Sequence, residues 1–335
     1  MLKCGIIGFG GLGKVHFKGL CKLEEKGCVK IVALCDIQEE QFVLKTDTNL
    51  GSEQIIVDMS KYKIFADYKK MLSECDLDFV VVALPTFLHA PVSIDAMEAG
   101  CSVFCEKPMA INAEQAKKML DVSKEKNKHL MIGHNLRFWP DYIKLKEFID
   151  SGKYGKVVRA EFSRLSGTPK WGWNNWFMKE EMSGSAPLDL HIHDVDAVNW
   201  LFGPPDTVCS SATHVVTPFD SIVTQYIYPD DKVVIATGDW GFQEKFPFRM
   251  TFSVRFEKAT VEMDHKGFNI YTDESAETIS FPECDSYYDE MVHFVECIIE
   301  NKPISVNLPE YSLKTLEIAL AEKDSSFSGK PISFL

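Results

Sequence analysis

Apolar positions follow two rhythms along the chain, and the rhythm changes near residue 135. Before that point, short continuous apolar runs alternate with segments of helical period. "KCGIIGFG" is an apolar run that ends in glycines, and "GLGKVHFKGLCKLEE" continues it with helical spacing. "VKIVALCD", "LDFVVVALP", "CSVFCEKP" and "KHLMIGHN" are further runs. Between them "DYKKMLSEC", "HAPVSIDAMEAG" and "NAEQAKKMLDVSKEKN" read as helices, the last with Asn112 as N-cap. Strands apolar on both faces and alternating with helices predict a parallel sheet covered on both sides. Residues 37–63 keep neither rhythm: a helix from Gln38 is expected, which "TDTNLGSEQ" breaks as an exposed loop.

After residue 135 the period shortens to two. A helix, "DYIKLKEFIDSGKYG", is followed by the alternating strands "KVVRAEFSRL", "TVCSSATHVV", "SIVTQYIY", "KVVIATGDWGF" and "RMTFSVRFEKA". In the last, Met250, Phe252, Val254 and Phe256 share one face and Arg249, Thr251, Ser253, Arg255 and Glu257 the other. This predicts a second domain on a mostly antiparallel sheet with one covered face. Two helical runs, "YYDEMVHFVECIIEN" and "EYSLKTLEIALAEKDSS", close the chain. The expected division is 1–134 and 135–335, with the last segment able to pack back on the first domain.

Length and charge narrow the function classes. At 335 residues two domains are the expectation. A formal charge of −13 opposes binding to nucleic acid or anionic lipid and leaves a neutral ligand open. The ten cysteines form no CxxC pair and suit the reduced thiols of a cytoplasmic protein. "MLKCGIIGFG" reaches a glycine turn too early for a signal peptide, and no apolar run is long enough to span a membrane.

Gly8, Gly10 and Gly13 in "GFGGLG" match GxGxxG between a strand and a helix. That spacing turns the chain tightly, brings N–H groups against a pyrophosphate, and packs helix on sheet. Asp36 ends the next strand, where a carboxylate accepts from ribose hydroxyls and repels a 2′-phosphate. NAD is therefore favoured over NADP. Lys107, between Glu106 and Pro108, stands at the end of another parallel strand, where ligands of such sheets bind. Its ammonium could stabilise an alkoxide or polarise a carbonyl; a solvated loop lysine is the plainer alternative.

"SGSAPLDLHIHDVDAVNWLFGPP" sets Asp189, His191, His193, Asp194 and Asp196 among apolar residues. A strand would aim Asp189, His191 and His193 together, as a metal requires. The flanks favour a helix instead, with Ser185 as cap, Pro187 in the first turn and Gly203-Pro204-Pro205 as stop. On a helix His191 and His193 diverge, while Asp189 and His193 share a face with Asp196 and Trp200 near the same line. Such a segment is either an Asp–His unit, with an imidazole that titrates near neutral pH, or a satisfied polar seam. No metal is expected, since no Cys or His spacing elsewhere supplies further ligands. Trp171, Trp173 and Trp176 in "KWGWNNWFMK" are plain core or, for one or two of them, offer indole faces to sugar C–H faces, and Lys170, Asn174 and Asn175 could bind hydroxyls.

"GFGGLGKVHFKGL", "ALPTFLHAPVSIDAMEAGCSVFCEKP", "GHNLRFWP", "DLHIHDVDAVNWLFG" and "GKPISF", in this order, resemble the glucose–fructose oxidoreductase and inositol dehydrogenase (Gfo/Idh/MocA) family over nearly the whole chain. The resemblance implies an α/β protein: an N-terminal Rossmann domain with a doubly wound parallel sheet, and a C-terminal α+β domain with a large open sheet. That sheet would assemble a homodimer or homotetramer. Lys107, Asp189 and His193 correspond to the family's catalytic group. Coenzyme contacts are expected at Gly8, Phe9, Gly10, Gly11, Leu12, Gly13, Asp36, Ile37, Leu84, Pro85, Thr86, His89, Glu106 and Lys107. Substrate contacts are expected at Asn135, Arg137, Trp171, Trp173, Trp176, Asp189 and His193, Arg137 being equally an ion-pair partner. The implied activity is NAD-dependent oxidation of a secondary alcohol of a sugar, cyclic polyol or derivative. A redox-assisted glycosidase that keeps its NAD, and a sugar or dinucleotide sensor without turnover, are the alternatives.

Overall fold

The computed structural model describes residues 1–43, 45–48, 51–54 and 57–335. They form two compact units, Met1–Asn135 with Asp285–Leu313, and Leu136–Cys284 with Lys314–Leu335.

The first unit opens with β1 (Leu2–Ile7), α1 (Gly11–Glu25) and β2 (Val29–Cys35). It continues through β3 (Lys45–Thr48), β4 (Gly51–Gln54), β5 (Lys63–Phe65), α2 (Tyr68–Glu74) and β6 (Phe79–Val82). Then come α3 (His89–Glu98), β7 (Ser102–Glu106), α4 (Ala113–Lys126) and β8 (Leu130–Gly133). Six strands make one parallel sheet in the order β5-β2-β1-β6-β7-β8. Every residue of β6 and β7 is buried, which is why these strands are continuous apolar runs. The chain winds from β1 out to β5 and then crosses back to β6, so the winding reverses between β1 and β6. Asn112 caps α4 as expected, its side-chain oxygen accepting from the Gln115 N–H at 2.9 Å.

The stretch after β2 departs from expectation. In place of a helix from Gln38 there is a single 3₁₀ turn, Glu39–Phe42. In place of an exposed loop, β3 and β4 pair as an antiparallel hairpin, with residues 49 and 50 outside the described residues. Strands of four polar residues have no apolar alternation by which to be recognised.

The second unit contains α5 (Pro140–Ser151), β9 (Val157–Gly167), α6 (Glu180–Ser183) and α7 (Ile192–Phe202). Its remaining strands are β10 (Thr207–Thr213), β11 (Ser221–Ile227), β12 (Val233–Phe242), β13 (Arg249–Phe256), β14 (Thr260–Asp264), β15 (Gly267–Tyr271) and β16 (Ala276–Ile279). Helix α8 (Ser286–Ile299) belongs to the first unit, where Phe294 meets Phe79 and Phe104 edge-on. The chain ends with α9 (Pro309–Ser328) and β17 (Ile332–Ser333). The second sheet has nine strands in the order β16-β15-β14-β13-β9-β12-β11-β10-β17, antiparallel except where β9 meets β12. One face packs on α7 and the turn before it, and Phe252, Val254 and Phe256 are buried as their alternation predicts. The opposite face leaves Val223, Ile227 and Val233 exposed. All ten cysteines are free. Among the described residues no helix is long and apolar enough to cross a membrane.

Candidate active site

Strand register gathers the expected coenzyme residues at one sheet edge. Ile7 pairs with Cys35 and with Val82, and Val82 with Cys105. The glycine turn, Asp36-Ile37, Leu84–Thr86 and Glu106-Lys107 therefore leave the sheet side by side. The glycines have separable tasks. Gly8 sits at φ +93°, and a Cβ there would run into the Ala83 carbonyl. A Cβ on Gly13 would run into the Gly8 carbonyl. A Cβ on Gly10 would meet nothing within 4 Å. Two glycines thus close the turn, and the third keeps space open at the N-terminus of α1, where main-chain N–H groups can receive a pyrophosphate.

Asp36 fixes the turn from below. Its carboxylate accepts from the Phe9 N–H at 2.7 Å and the Gln38 N–H at 2.9 Å. Burial raises its pKa, opposed by those two N–H groups and by the Lys14 ammonium. Lys14, not singled out from the sequence although it follows Gly13 directly, is buried near this carboxylate, and burial lowers its own pKa. Ile37 is exposed alongside.

Glu106, expected among the coenzyme contacts, turns inward. It is 3% exposed, lies 2.6 Å from His16 Nε2 of α1, and accepts from the Lys107 N–H at 3.2 Å. Glu290 of α8 completes this buried group, with an imidazole nitrogen of His16 and a carboxylate oxygen of each glutamate all within 4.8 Å of one another. Burial raises the Glu106 pKa, but His16, Lys107 and His89 outweigh it and hold the carboxyl below its ordinary range. Burial, with Glu106 beside it, pushes Glu290 well up. The sequence reading missed His16 and Glu290, and nothing in the separations between 16, 106 and 290 marks them. Lys107 itself is half-buried just past the strand, and the Lys107–Pro108 bond is cis. Thr86 and His89 are buried, and Asn135 is buried with its amide 3.5 Å from Ser286 Oγ.

In the second unit the five titratable residues of 189–196 separate cleanly. Pro187–His191 is one π-helical stretch running directly into α7, where an α-helix throughout was expected. Ser185 does not cap it: this residue has φ +60°, and its buried hydroxyl has no hydrogen-bond partner among the described residues. Asp194 is buried and receives Arg164 of β9 at 2.8 and 3.2 Å. Asp196 was expected on the line of Asp189 and His193. Instead it is buried, receiving Arg137 at 2.9 and 2.8 Å and the Thr315 hydroxyl at 3.0 Å. Arg137 is thus an ion-pair partner, with Nε and Nη2 both engaged. His191 is fully buried, 3.1 Å from Glu322 and packed where Gly238 of β12 leaves room. It lies in core surroundings that His193 does not share. Asp189 and His193 are the two half-buried members of the five.

The tryptophan segment is part anchor and part exposed surface. Trp176 stacks on Phe177 at 4.1 Å, and Phe177 packs on the buried cluster of Ala186, Leu190 and Trp240. Trp171 and Trp173 stay exposed, and Asn174 and Asn175, which follow Trp173 in the chain, are in left-handed conformations. Lys170 is 3.3 Å from Glu244.

Residues 2–134 match the oxidoreductase family described as having an NAD-binding Rossmann fold, and residues 142–262 match the GFO/IDH/MocA C-terminal domain. The chain belongs to the GFO/IDH/MocA oxidoreductase family. It is 26% identical to the NAD(+)-dependent scyllo-inositol 2-dehydrogenase of Bacillus subtilis, over 99% of this chain and 96% of that enzyme. It is 32% identical to the D-glucoside 3-dehydrogenase of Escherichia coli, over 61% of this chain and 55% of that enzyme. In fold it is similar to myo-inositol 2-dehydrogenase from Lactobacillus plantarum, with TM-score 0.80 at 24% identity, covering 100% of this chain and 99% of the other. As a GFO/IDH/MocA member it is an NAD(P)-dependent oxidoreductase acting on CH–OH groups. Its glycine turn and the open space at Gly10 fit a dinucleotide.

Proposed function

We propose that this protein is an NAD-dependent dehydrogenase that oxidises a secondary alcohol of a sugar, cyclic polyol or derivative. What carries the reading is the sorting of 189–196. Asp194, Asp196 and His191 are each committed to a buried partner, while Asp189 and His193 stay half-buried four positions apart. These two and Lys107 are the residues that the family resemblance assigns to catalysis. Bound NAD would supply the hydride acceptor. Lys107 and Asp189 hold the hydroxyl, and His193 takes its proton as the carbon is oxidised. Gly8–Gly13, Asp36 and Ile37 hold the dinucleotide, and the carboxylate of Asp36 disfavours a 2′-phosphate. Trp171 and Trp173 offer faces for the C–H side of a sugar ring.

The same reading gives the open face of the second sheet a use. Val223, Ile227 and Val233, 42%, 40% and 38% exposed, form an apolar surface that a second copy would cover to make a homodimer or homotetramer.

The test is the absorbance of reduced nicotinamide while the purified protein is offered NAD with inositols, aldoses, sugar acids and amino sugars. One group should give signal. With that substrate, Lys107→Ala and His193→Ala should each lower kcat by a hundredfold or so and leave NAD affinity near normal. Near-normal turnover in both variants would defeat the assignment.

A further inference from the structure

We propose that His89 is a positioning residue, a buried imidazolium whose two N–H groups tie the loop after β6 to the loop that carries Lys107. Only its consequence for turnover rests on the dehydrogenase reading; the tie itself does not. Nδ1 lies 2.7 Å from the Pro108 carbonyl oxygen and Nε2 lies 2.7 Å from the Leu84 carbonyl oxygen. Carbonyl oxygens only accept, and a neutral imidazole has a single N–H. A neutral ring would therefore turn a nitrogen lone pair toward one of these oxygens at hydrogen-bond distance. Only the doubly protonated ring donates to both, and 2.7 Å is the length expected of a charged donor.

The surroundings bear on the charge from both sides. The ring is 1% exposed. On balance its pKa is lowered from that of a free imidazole, burial being the largest cause and the Lys107 ammonium adding to it, against the Pro108 and Leu84 carbonyls and the Glu106 carboxylate, which raise it. Geometry decides between them, because neither carbonyl can donate and both contacts are short. Glu106 is buried as well, so little solvent screens it, and behind it stand His16 and Glu290. A cation at His89 thus has its counter-charge inside the fold.

The two carbonyls belong to residues that matter. Leu84 leaves β6 at the edge where the winding reverses, and Pro108 follows Lys107 directly. A ring fastened to both sets the spacing of these loops and hence where Lys107 emerges from β7. The role is one of positioning, exerted through the main chain.

The experiment is nitrogen-15 NMR of the full-length protein labelled at histidine, at neutral pH and without coenzyme or substrate. The resonances of His89, assigned through contacts to Pro108, should show both ring nitrogens protonated. One unprotonated nitrogen overturns the proposal whatever the enzyme oxidises. In a second arm His89→Gln, whose amide cannot reproduce both donors, should lower kcat about tenfold with the KM for NAD little changed. A variant with wild-type kcat would overturn the positioning role even if the charge is confirmed.

Discussion

Replacing Gly10 by alanine should separate folding from coenzyme binding, because the three glycines of the turn have different neighbours. The Gly10 backbone, at φ −71° and ψ −157°, is open to alanine, and the new methyl would touch nothing within 4 Å. Gly10 is also the N-cap of α1. Alanine is worse than glycine there by about 1 kcal/mol. Restricting the unfolded chain returns about 0.4–1 kcal/mol. The stability change should therefore stay within about 1 kcal/mol. The methyl does fill the space in front of the helix N-terminus. Losing one N–H bond to a charged phosphate costs about 1.5–3 kcal/mol, a roughly ten- to hundredfold rise in Kd. Gly13→Ala should behave otherwise, since its methyl collides with the Gly8 carbonyl and the helix must shift, at about 1–3 kcal/mol or more. Urea unfolding and NADH fluorescence titration on the same preparations give both quantities. Gly10→Ala with normal stability and wild-type NADH affinity would refute the reasoning, since the open space would then not be where the pyrophosphate lies.

Glu290 gives a pH prediction. Its folded pKa is raised by burial and by Glu106, so its contribution to stability is present at low pH and is lost as pH rises through that raised value. Glu290→Gln removes the titration: the variant should match wild type in acid and exceed it in alkali, read as urea midpoints across pH, and parallel curves would refute the assignment. Arg137→Met should leave Asp196 as a buried carboxylate without its fork and cost about 3–5 kcal/mol in the same assay. Adding Asp196→Leu should recover most of that loss, and a double variant no more stable than the single would show that the pair is not what Arg137 contributes.

How far the chain could be read in advance depended on whether a segment's neighbours lie along it. β6, β7 and α4 were legible because burial on both faces and an Asn112 cap are written in consecutive residues. The alternation of β13 was legible for the same reason. β14 to β16 were not singled out, being four- and five-residue strands that continue the sheet outward from β13. The hairpin of β3 and β4 has no apolar alternation at all. Side-chain partnerships were harder still. The resemblance puts Glu106 among the expected coenzyme contacts, and no local signal marks its contact with His16, 90 residues before it, or its nearness to Glu290, 184 after it. The sequence leaves Arg137 open between a substrate contact and an ion pair with no named partner, because an arginine's partner depends on the fold that brings the two together; here the partner is Asp196.

The density of charge in 189–196 has a physical explanation that needs no metal. Helix α7 buries most of its circumference, and the buried positions of the helix and the turn before it include Asp194, Asp196 and His191. A buried carboxylate is tolerable when a guanidinium meets it in a two-pronged geometry, which Arg164 and Arg137 provide from β9 and from the turn before α5. His191 meets Glu322 of α9, in the room that Gly238 leaves on β12. These contacts fix the helix against the sheet from several directions, in rotation as well as in depth. Fixed rotation is what an acid–base residue on the remaining side requires, since a misplacement of about 1 Å can cost a hundredfold in rate. The polar seam and the proposed catalytic pair are therefore complementary: the buried charges orient the helix, and Asp189 and His193 use the orientation.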